Sequence, residues 1–213
     1  DRRFEQMLMR GVTKPAYSMA WGDLDGDGDL DLVTGSYDAE LDQELRSTFL
    51  FSDGAGVFAY RNNGDEFVAT RLAADSQALA TAMIDLDLDG ALDVVVGNDV
   101  AMHDMAWRND GTGSLTAAEP FDRTAAHTMS IDAGDIDGDF RDDIITSEPG
   151  FGQVVVYSGA NQSVLHAFTW VFGFFFWGEE LAGVGDIDGD GTPDLATATT
   201  DFTGYVRVHS GAD

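Results

Sequence analysis

The chain has 213 residues, which suits one mid-sized domain, or part of a larger one, with room for a core. With 44% apolar and 11% aromatic residues it is no disordered chain, and a formal net charge of -28 argues against nucleic acid and anionic membrane surfaces as partners, since both repel a polyanion. The absence of cysteine excludes a disulfide scaffold, thiolate metal sites and cysteine nucleophiles.

Phe4–Leu8 reads as an outer strand within a leading segment, 1–15. Ser18–Gly22 is a short apolar strand that runs into a run of alternating aspartates, Asp23, Asp25, Asp27, Asp29 and Asp31, with Gly28 at the sixth place. Leu32–Gly35 follows as a second apolar strand, then Val57–Arg61 and Phe67–Leu72, divided by the turn signal Asn63-Gly64. The unit then repeats. Ala80–Ile84 leads into Asp85, Asp87, Asp89 and Asp93, followed by Val94–Gly97 and the turn Asp110-Gly111. Ser130–Gly134 leads into Asp135, Asp137, Asp139 and Asp143, followed by Ile144–Thr146, Val154–Tyr157 and Val164–Phe168. Leu181–Gly185 leads into Asp186, Asp188, Asp190 and Asp194, followed by Leu195–Ala198 and Tyr205–His209. The four aspartate runs start at 23, 85, 135 and 186, so they lie 62, 50 and 51 residues apart. The flanking runs are short, rich in β-branched residues and bounded by Gly and Asp, which is the pattern of buried strands, and no segment keeps a helical period.

Each unit thus supplies about four strands, and one such antiparallel sheet leaves a face uncovered. Stacking successive sheets around an axis buries both faces. The predicted fold is all-β: a single β-propeller domain of four-stranded antiparallel blades, four in this chain, at about 16–72, 79–120, 127–168 and 178–209. The chain stops after a third-strand segment. Either the leading strand completes the last blade of a small ring, or the chain is a stretch of a larger propeller; the second is the expectation.

Alternate aspartates in a tight loop bring several carboxylates around one point. Hard, anionic oxygen ligands suit calcium better than zinc or copper, and magnesium less well because it keeps its water. The predicted ligand sets are Asp23, Asp25, Asp27, Asp29 and Asp31; Asp85, Asp87, Asp89, Ala91 and Asp93; Asp135, Asp137, Asp139, Arg141 and Asp143; and Asp186, Asp188, Asp190, Thr192 and Asp194. At the seventh place the backbone carbonyl is the expected donor. Up to four calcium ions follow. An EF-hand would need Glu at the twelfth place and flanking helices. Thr34, Val96, Thr146 and Thr197 stand there, between strands. The third loop has Phe140 where the others have Gly, and is expected to be the weakest site.

These residues resemble the FG-GAP/VCBS repeat of integrin-α-type β-propellers. The resemblance rests on Gly22-Asp23, Gly134-Asp135 and Gly185-Asp186 before the acidic run, on Trp177-Gly178 in the place of the family's Phe-Gly pair, and on the turns 60–64 and 107–111. It covers roughly residues 16–209. It implies a module for protein–protein interaction, adhesion or assembly of a surface or membrane-associated complex, with calcium in a structural role and an extracellular, cell-surface or periplasmic location. The alternatives are a carbohydrate-binding propeller and a non-catalytic accessory domain of a secreted enzyme.

The remaining motifs add little chemistry. Residues 168–177 form an aromatic run too short to span a bilayer. It reads as an outer strand with the lead-in to the last unit, or as an exposed partner or membrane contact through Trp170, Phe172, Phe174, Phe175 and Phe176. His103, His127, His166 and His209 stand in no metal motif, and no GxSxG, Walker or Rossmann signature is present, so no enzymatic role is predicted. The expected partner is a protein, with a glycan as the second choice and no transmembrane segment in this chain.

Overall fold

The structure is a computed structural model. It describes residues 9–14, 16–36, 39–41, 49–51, 56–74, 76–99, 102–118, 121, 127–148, 152–169, 177–199 and 205–211. The predicted strand Phe4–Leu8 and the five aromatic contact residues between 170 and 176 lie outside these.

The described residues form seventeen strands and no helix. In the first unit, β1 (Ser18–Gly22) and β2 (Asp31–Ser36) pair across the first acidic run, a small hairpin of β3 (Ala39–Leu41) and β4 (Phe49–Phe51) intervenes, and β5 (Gly56–Asn62) and β6 (Phe67–Ala73) complete a four-stranded sheet in the order β1-β2-β5-β6. That hairpin accounts for the longer 62-residue first interval and was not foreseen from the sequence. The second sheet contains β7 (Ala78–Ile84), β8 (Asp93–Asn98), β9 (Met105–Asn109) and β10 (Leu115–Ala117). The third contains β11 (Ser130–Gly134), β12 (Asp143–Glu148), β13 (Gln153–Tyr157) and β14 (Val164–Thr169). The fourth has three strands, β15 (Trp177–Gly185), β16 (Asp194–Thr199) and β17 (Tyr205–His209). All pairings are antiparallel, between neighbours in sequence except for β2 with β5, and the strands assigned from short apolar runs hold to within a residue or two except β15, which begins four residues before Leu181.

The sheets stack face to face in chain order. Val33, Val57 and Ala59 of the first pack on Ala78, Val94, Val96 and Trp107 of the second. Val95 and Ala106 of the second pack on Ile144, Val155 and Tyr157 of the third. Ile145, Val154 and Val156 of the third pack on Leu195 of the fourth. The second strand of a sheet is covered on both sides, which is why β2, β8 and β12 are buried along their whole length and read as apolar runs without alternation.

Two repeated positions fit the sheets together. Gly35, Gly97, Ser147 and Ala198 occupy the same register place on the second strand. A Cβ on Gly35 would run into the Ala78 side chain, and one on Gly97 into Thr128, so the place must stay small for the next sheet to approach. The second residue of each acidic run is the other. Leu24, Leu86 and Ile136 are each buried to 4% exposure or less against the following sheet. Ile187 holds the same place in the fourth sheet and is 58% exposed, beside exposed Val206 and Val208. The far face of the fourth sheet is therefore an apolar face of the kind that the other three sheets bury. At the opposite end Met19 and Trp21 are exposed, while Met9 and Val12 pack on Leu32, Phe58 and Tyr60. Residues 9–14 make no strand, and Met9 and Val12 cover the outer face of the first sheet as irregular chain.

A buried polar knot lies between the second and third sheets, at the strand ends away from the acidic runs. Asp104 accepts from the Asn98 N–H at 2.8 Å and from the Thr128 hydroxyl at 2.8 Å. Asn98 in turn accepts from the Ser76 hydroxyl and the Gln77 N–H. Burial pushes the Asp104 carboxyl up to about 7, against the pull of those two hydrogen bonds; Glu148 adds to the rise and His103 opposes it.

Two predictions follow from this packing. Gly35→Val should destabilise the fold by about 1–3 kcal/mol in urea unfolding, through overpacking against Ala78. For Asp104, the native state holds a proton between its ordinary 3.8 and about 7 that the unfolded chain does not. Its contribution is full below 3.8 and is lost as pH rises through about 7. Asp104→Asn keeps an acceptor for Asn98 and offers a donor to Thr128. Its stability relative to the parent should therefore rise from pH 5 to pH 8, and a difference that does not change with pH would contradict the assignment.

Candidate metal centre

Each acidic run is the hairpin loop between the first and second strands of its sheet. Gly22 pairs with Asp31, Ile84 with Asp93, Gly134 with Asp143 and Gly185 with Asp194. All four loops thus sit at the same end of the stacked sheets.

The aspartate at the ninth place differs from the others. Asp31, Asp93, Asp143 and Asp194 are all at most 1% exposed. One oxygen of each accepts the N–H of the loop's second residue: Leu24 at 2.9 Å, Leu86 at 3.1 Å, Ile136 at 2.8 Å and Ile187 at 2.8 Å. The other oxygen accepts an N–H from the end of the third strand: Asn62 at 2.8 Å, Asn109 at 2.8 Å, Gly159 at 3.1 Å and Gly211 at 3.2 Å. This carboxylate staples the loop to the sheet. Burial raises the Asp31, Asp93 and Asp143 carboxyls, and the backbone N–H bonds draw them back. The loop's own charge pushes further upward: Asp25 and Asp27 on Asp31, and Asp137 on Asp143. Asp93 has an additional partner, the Arg108 guanidinium at 2.7 Å.

The first and fifth places shape the loop. Asp23, Asp85, Asp135 and Asp186 each accept the N–H of the sixth residue at 2.9–3.1 Å. The fifth aspartates, Asp27, Asp89, Asp139 and Asp190, each accept the N–H of the seventh residue: Asp29, Ala91, Arg141 and Thr192. The seventh-place carbonyls, predicted as donors, therefore belong to residues whose N–H groups are already fixed.

Carboxylate oxygens converge in every loop. Asp23, Asp25 and Asp27 place one oxygen each within 4.8 Å of the others, as do Asp85, Asp87 and Asp89. In the third and fourth loops the converging sets are Asp135, Asp137 and Asp143, and Asp186, Asp188 and Asp194. Asp29, Asp31, Asp93, Asp139 and Asp190 stand outside these sets. The Oδ1 atoms of Asp25 and Asp85 are buried and accept no hydrogen bond. A buried anionic oxygen with no donor is costly, and a hard cation satisfies it. The donor set, all oxygen and mostly anionic, fits calcium.

Two places in each loop need left-handed backbone, not one. The fourth residues are Gly26, Leu88, Gly138 and Gly189, at φ of 75°, 61°, 79° and 80°. The sixth are Gly28, Gly90, Phe140 and Gly191, at 92°, 90°, 70° and 95°. Sequence reasoning located the strain at Phe140 and overlooked Leu88, because only the sixth place had been assigned a sharp bend. Both side chains point outward, Phe140 85% and Leu88 51% exposed, so neither gains much from packing.

Residues 85–146 match the FG-GAP-like repeat, and residues 15–42 and 177–209 match the FG-GAP repeat. The chain belongs to the FG-GAP repeat family. No curated protein matches it in sequence. Among solved structures this FG-GAP chain is similar to BBS1N, crystallised in complex with ARL6DN, with a TM-score of 0.61 at 10% identity, over 94% of this chain and 56% of that one. It also matches the V. cholerae biofilm matrix protein Bap1, at a TM-score of 0.40 and 16% identity, over 96% of this chain and 40% of that one. The FG-GAP chain thus spans about half the length of the BBS1N chain, and that likeness is one of fold.

Replacing either strained residue tests the loop geometry. Phe140→Gly and Leu88→Gly should each raise stability by roughly 0.5–1 kcal/mol, the left-handed strain less the added freedom of the unfolded chain. A loss of stability in urea unfolding for both would contradict the backbone assignment.

Proposed function

We propose that this FG-GAP chain is a calcium-stabilised β-propeller module of protein interaction. The carrying observation is the fourfold convergence of carboxylates on one rim, with two buried oxygens lacking donors. The ligands in each loop are the converging aspartates, joined by the remaining carboxylates of the predicted sets and by the carbonyls of Asp29, Ala91, Arg141 and Thr192. Bound calcium supplies charge neutralisation and fills the empty acceptor geometry; the chain's own residues do the positioning. The ninth aspartate anchors the loop, the first and fifth curl it, and the third turns its carboxylate inward. Rigid loops then hold the first and second strands of each sheet at the angle that lets the next sheet stack. Continued around an axis, this stacking gives a propeller.

The interaction role is supported by the exposed apolar places at the two ends of the stack, Ile187, Val206 and Val208 at one and Met19 and Trp21 at the other. BBS1N, similar in fold, is itself crystallised in a protein complex. Calcium sites of modest affinity fill outside the cytoplasm, which favours an extracellular, surface or periplasmic setting. No catalytic step is assigned. A glycan-binding reading has one specific support. The groove lined by Met9, Arg10, Trp21, Asn62, Asp65, Glu66 and Phe67 sets two aromatic rings, edge to face at 6.1 Å, beside polar groups. Glycan-array binding that is lost in Trp21→Ala would select it over a protein partner.

Chelation is the test of the calcium reading. Excess EDTA should lower the melting temperature by several degrees, and calcium in excess of EDTA should restore it, because a ligand that binds only the folded state stabilises it by mass action. An unchanged melting curve in EDTA and in calcium would refute it.

A further inference from the structure

We infer that Asn109 couples the first and second acidic loops, so that a cation bound in one strengthens binding in the other. The inference rests on the calcium reading above and adds a positioning residue to it. Asn109 ends the third strand of the second sheet and is 2% exposed. Its side-chain amide donates its two hydrogens to two different loops, one of them across a sheet boundary. One goes to the Leu24 carbonyl of the first loop at 2.8 Å, and the other to the Leu92 carbonyl of the second loop at 3.0 Å. Its backbone N–H donates to Asp93, the staple of the second loop, at 2.8 Å. Its Oδ1 accepts from Gly111 and Gly113, which fixes the side chain in this orientation. A single buried residue therefore holds the backbone of two cation loops on different sheets.

The attachment points matter. Leu24 is the residue whose N–H is held by Asp31, and it lies between Asp23 and Asp25 of its own cluster. Its side chain is buried in the contact between the first two sheets. Ordering of the first loop by a cation fixes the Leu24 carbonyl on the Asn109 amide, whose other hydrogen holds the Leu92 carbonyl next to Asp93. The ordering that the second cation must impose is then already partly made, which is positive cooperativity. The linkage is reciprocal by thermodynamic necessity. It is also local. Asn62 holds the same place in the first sheet, and its side-chain amide reaches only the Leu30 carbonyl of its own loop, at 3.3 Å. In the third and fourth sheets the place is taken by Gly159 and Gly211, which have no side chain to reach a neighbouring loop.

The test reads each loop separately. The Gly28 and Gly90 N–H groups donate to Asp23 and Asp85 inside the first and second loops, so their amide resonances report each site in a calcium titration of chelator-treated, isotope-labelled protein. Asp25→Ala, which disables the first loop, should raise the calcium midpoint at Gly90 by about five-fold or more in the parent background. In an Asn109→Ala background the same substitution should leave the Gly90 midpoint within two-fold. Asn109→Asp keeps the acceptor for Gly111 and Gly113 and removes the donated bonds, so it should also abolish the five-fold effect and serves if Asn109→Ala folds poorly. The Gly191 midpoint in the fourth loop should not respond to Asp25→Ala in any background. A merely structural role for Asn109 would lower stability without changing these ratios. A five-fold effect that persists without the Asn109 amide, or that is absent in the parent, overturns the coupling while leaving calcium binding intact. If neither glycine responds to calcium, the calcium reading fails and the coupling with it.

Discussion

The structure depends on one buried carboxylate per sheet. At the ninth place of each acidic loop an aspartate with at most 1% exposure accepts one N–H from the loop and one from the third strand. Removing it would free the loop from its sheet. Keeping it buries a negative charge, and burial pushes the Asp31, Asp93 and Asp143 carboxyls upward; neighbouring aspartates add to the push on Asp31 and Asp143, while Arg108 opposes it on Asp93. The backbone N–H bonds relieve part of it. On the proposed calcium reading, a divalent ion among the converging carboxylates would relieve the rest, which makes loop geometry and cation binding two aspects of one electrostatic constraint.

Stacking is the second constraint, and it converts the loops into an architecture. The second residue of each loop is both the donor to the buried aspartate and the apolar plug that enters the next sheet. Leu24, Leu86 and Ile136 do both. Each of these three loops is thereby tied mechanically to the sheet beside it. The same register logic marks the exposed ends: Ile187 makes its bond to Asp194, yet its side chain stands in solvent.

Much of this was legible in the sequence because the repeat supplies four readings of one pattern. The acidic runs, their flanking strands and the small residue on the second strand are visible as soon as the copies are aligned. The ninth aspartate was counted as a metal ligand like the rest, since spacing alone does not distinguish a carboxylate that faces backbone N–H groups from one that faces the loop centre. In the third and fourth loops Asp143 and Asp194 belong to both descriptions. Leu88 was missed because a sharp bend was expected only at the sixth place, where Phe140 stands, while the loop turns left-handed at the fourth place as well. The β3–β4 hairpin left only a trace, the longer first interval. Asn109 showed only as a member of the turn 107–111, and its bond to Leu24, 85 residues away in the chain, left no trace in the sequence.

The central claim is that these loops are cation cages and not merely solvated acidic turns. The most direct measurement is native mass spectrometry of the chelator-treated chain after exchange into calcium at near-physiological ionic strength. Discrete adducts of one to four calcium ions, reduced by one in Asp87→Ala, are the predicted result. A chain that stays metal-free, or that gains a broad, non-integral spread of adducts unaffected by that substitution, would contradict the account.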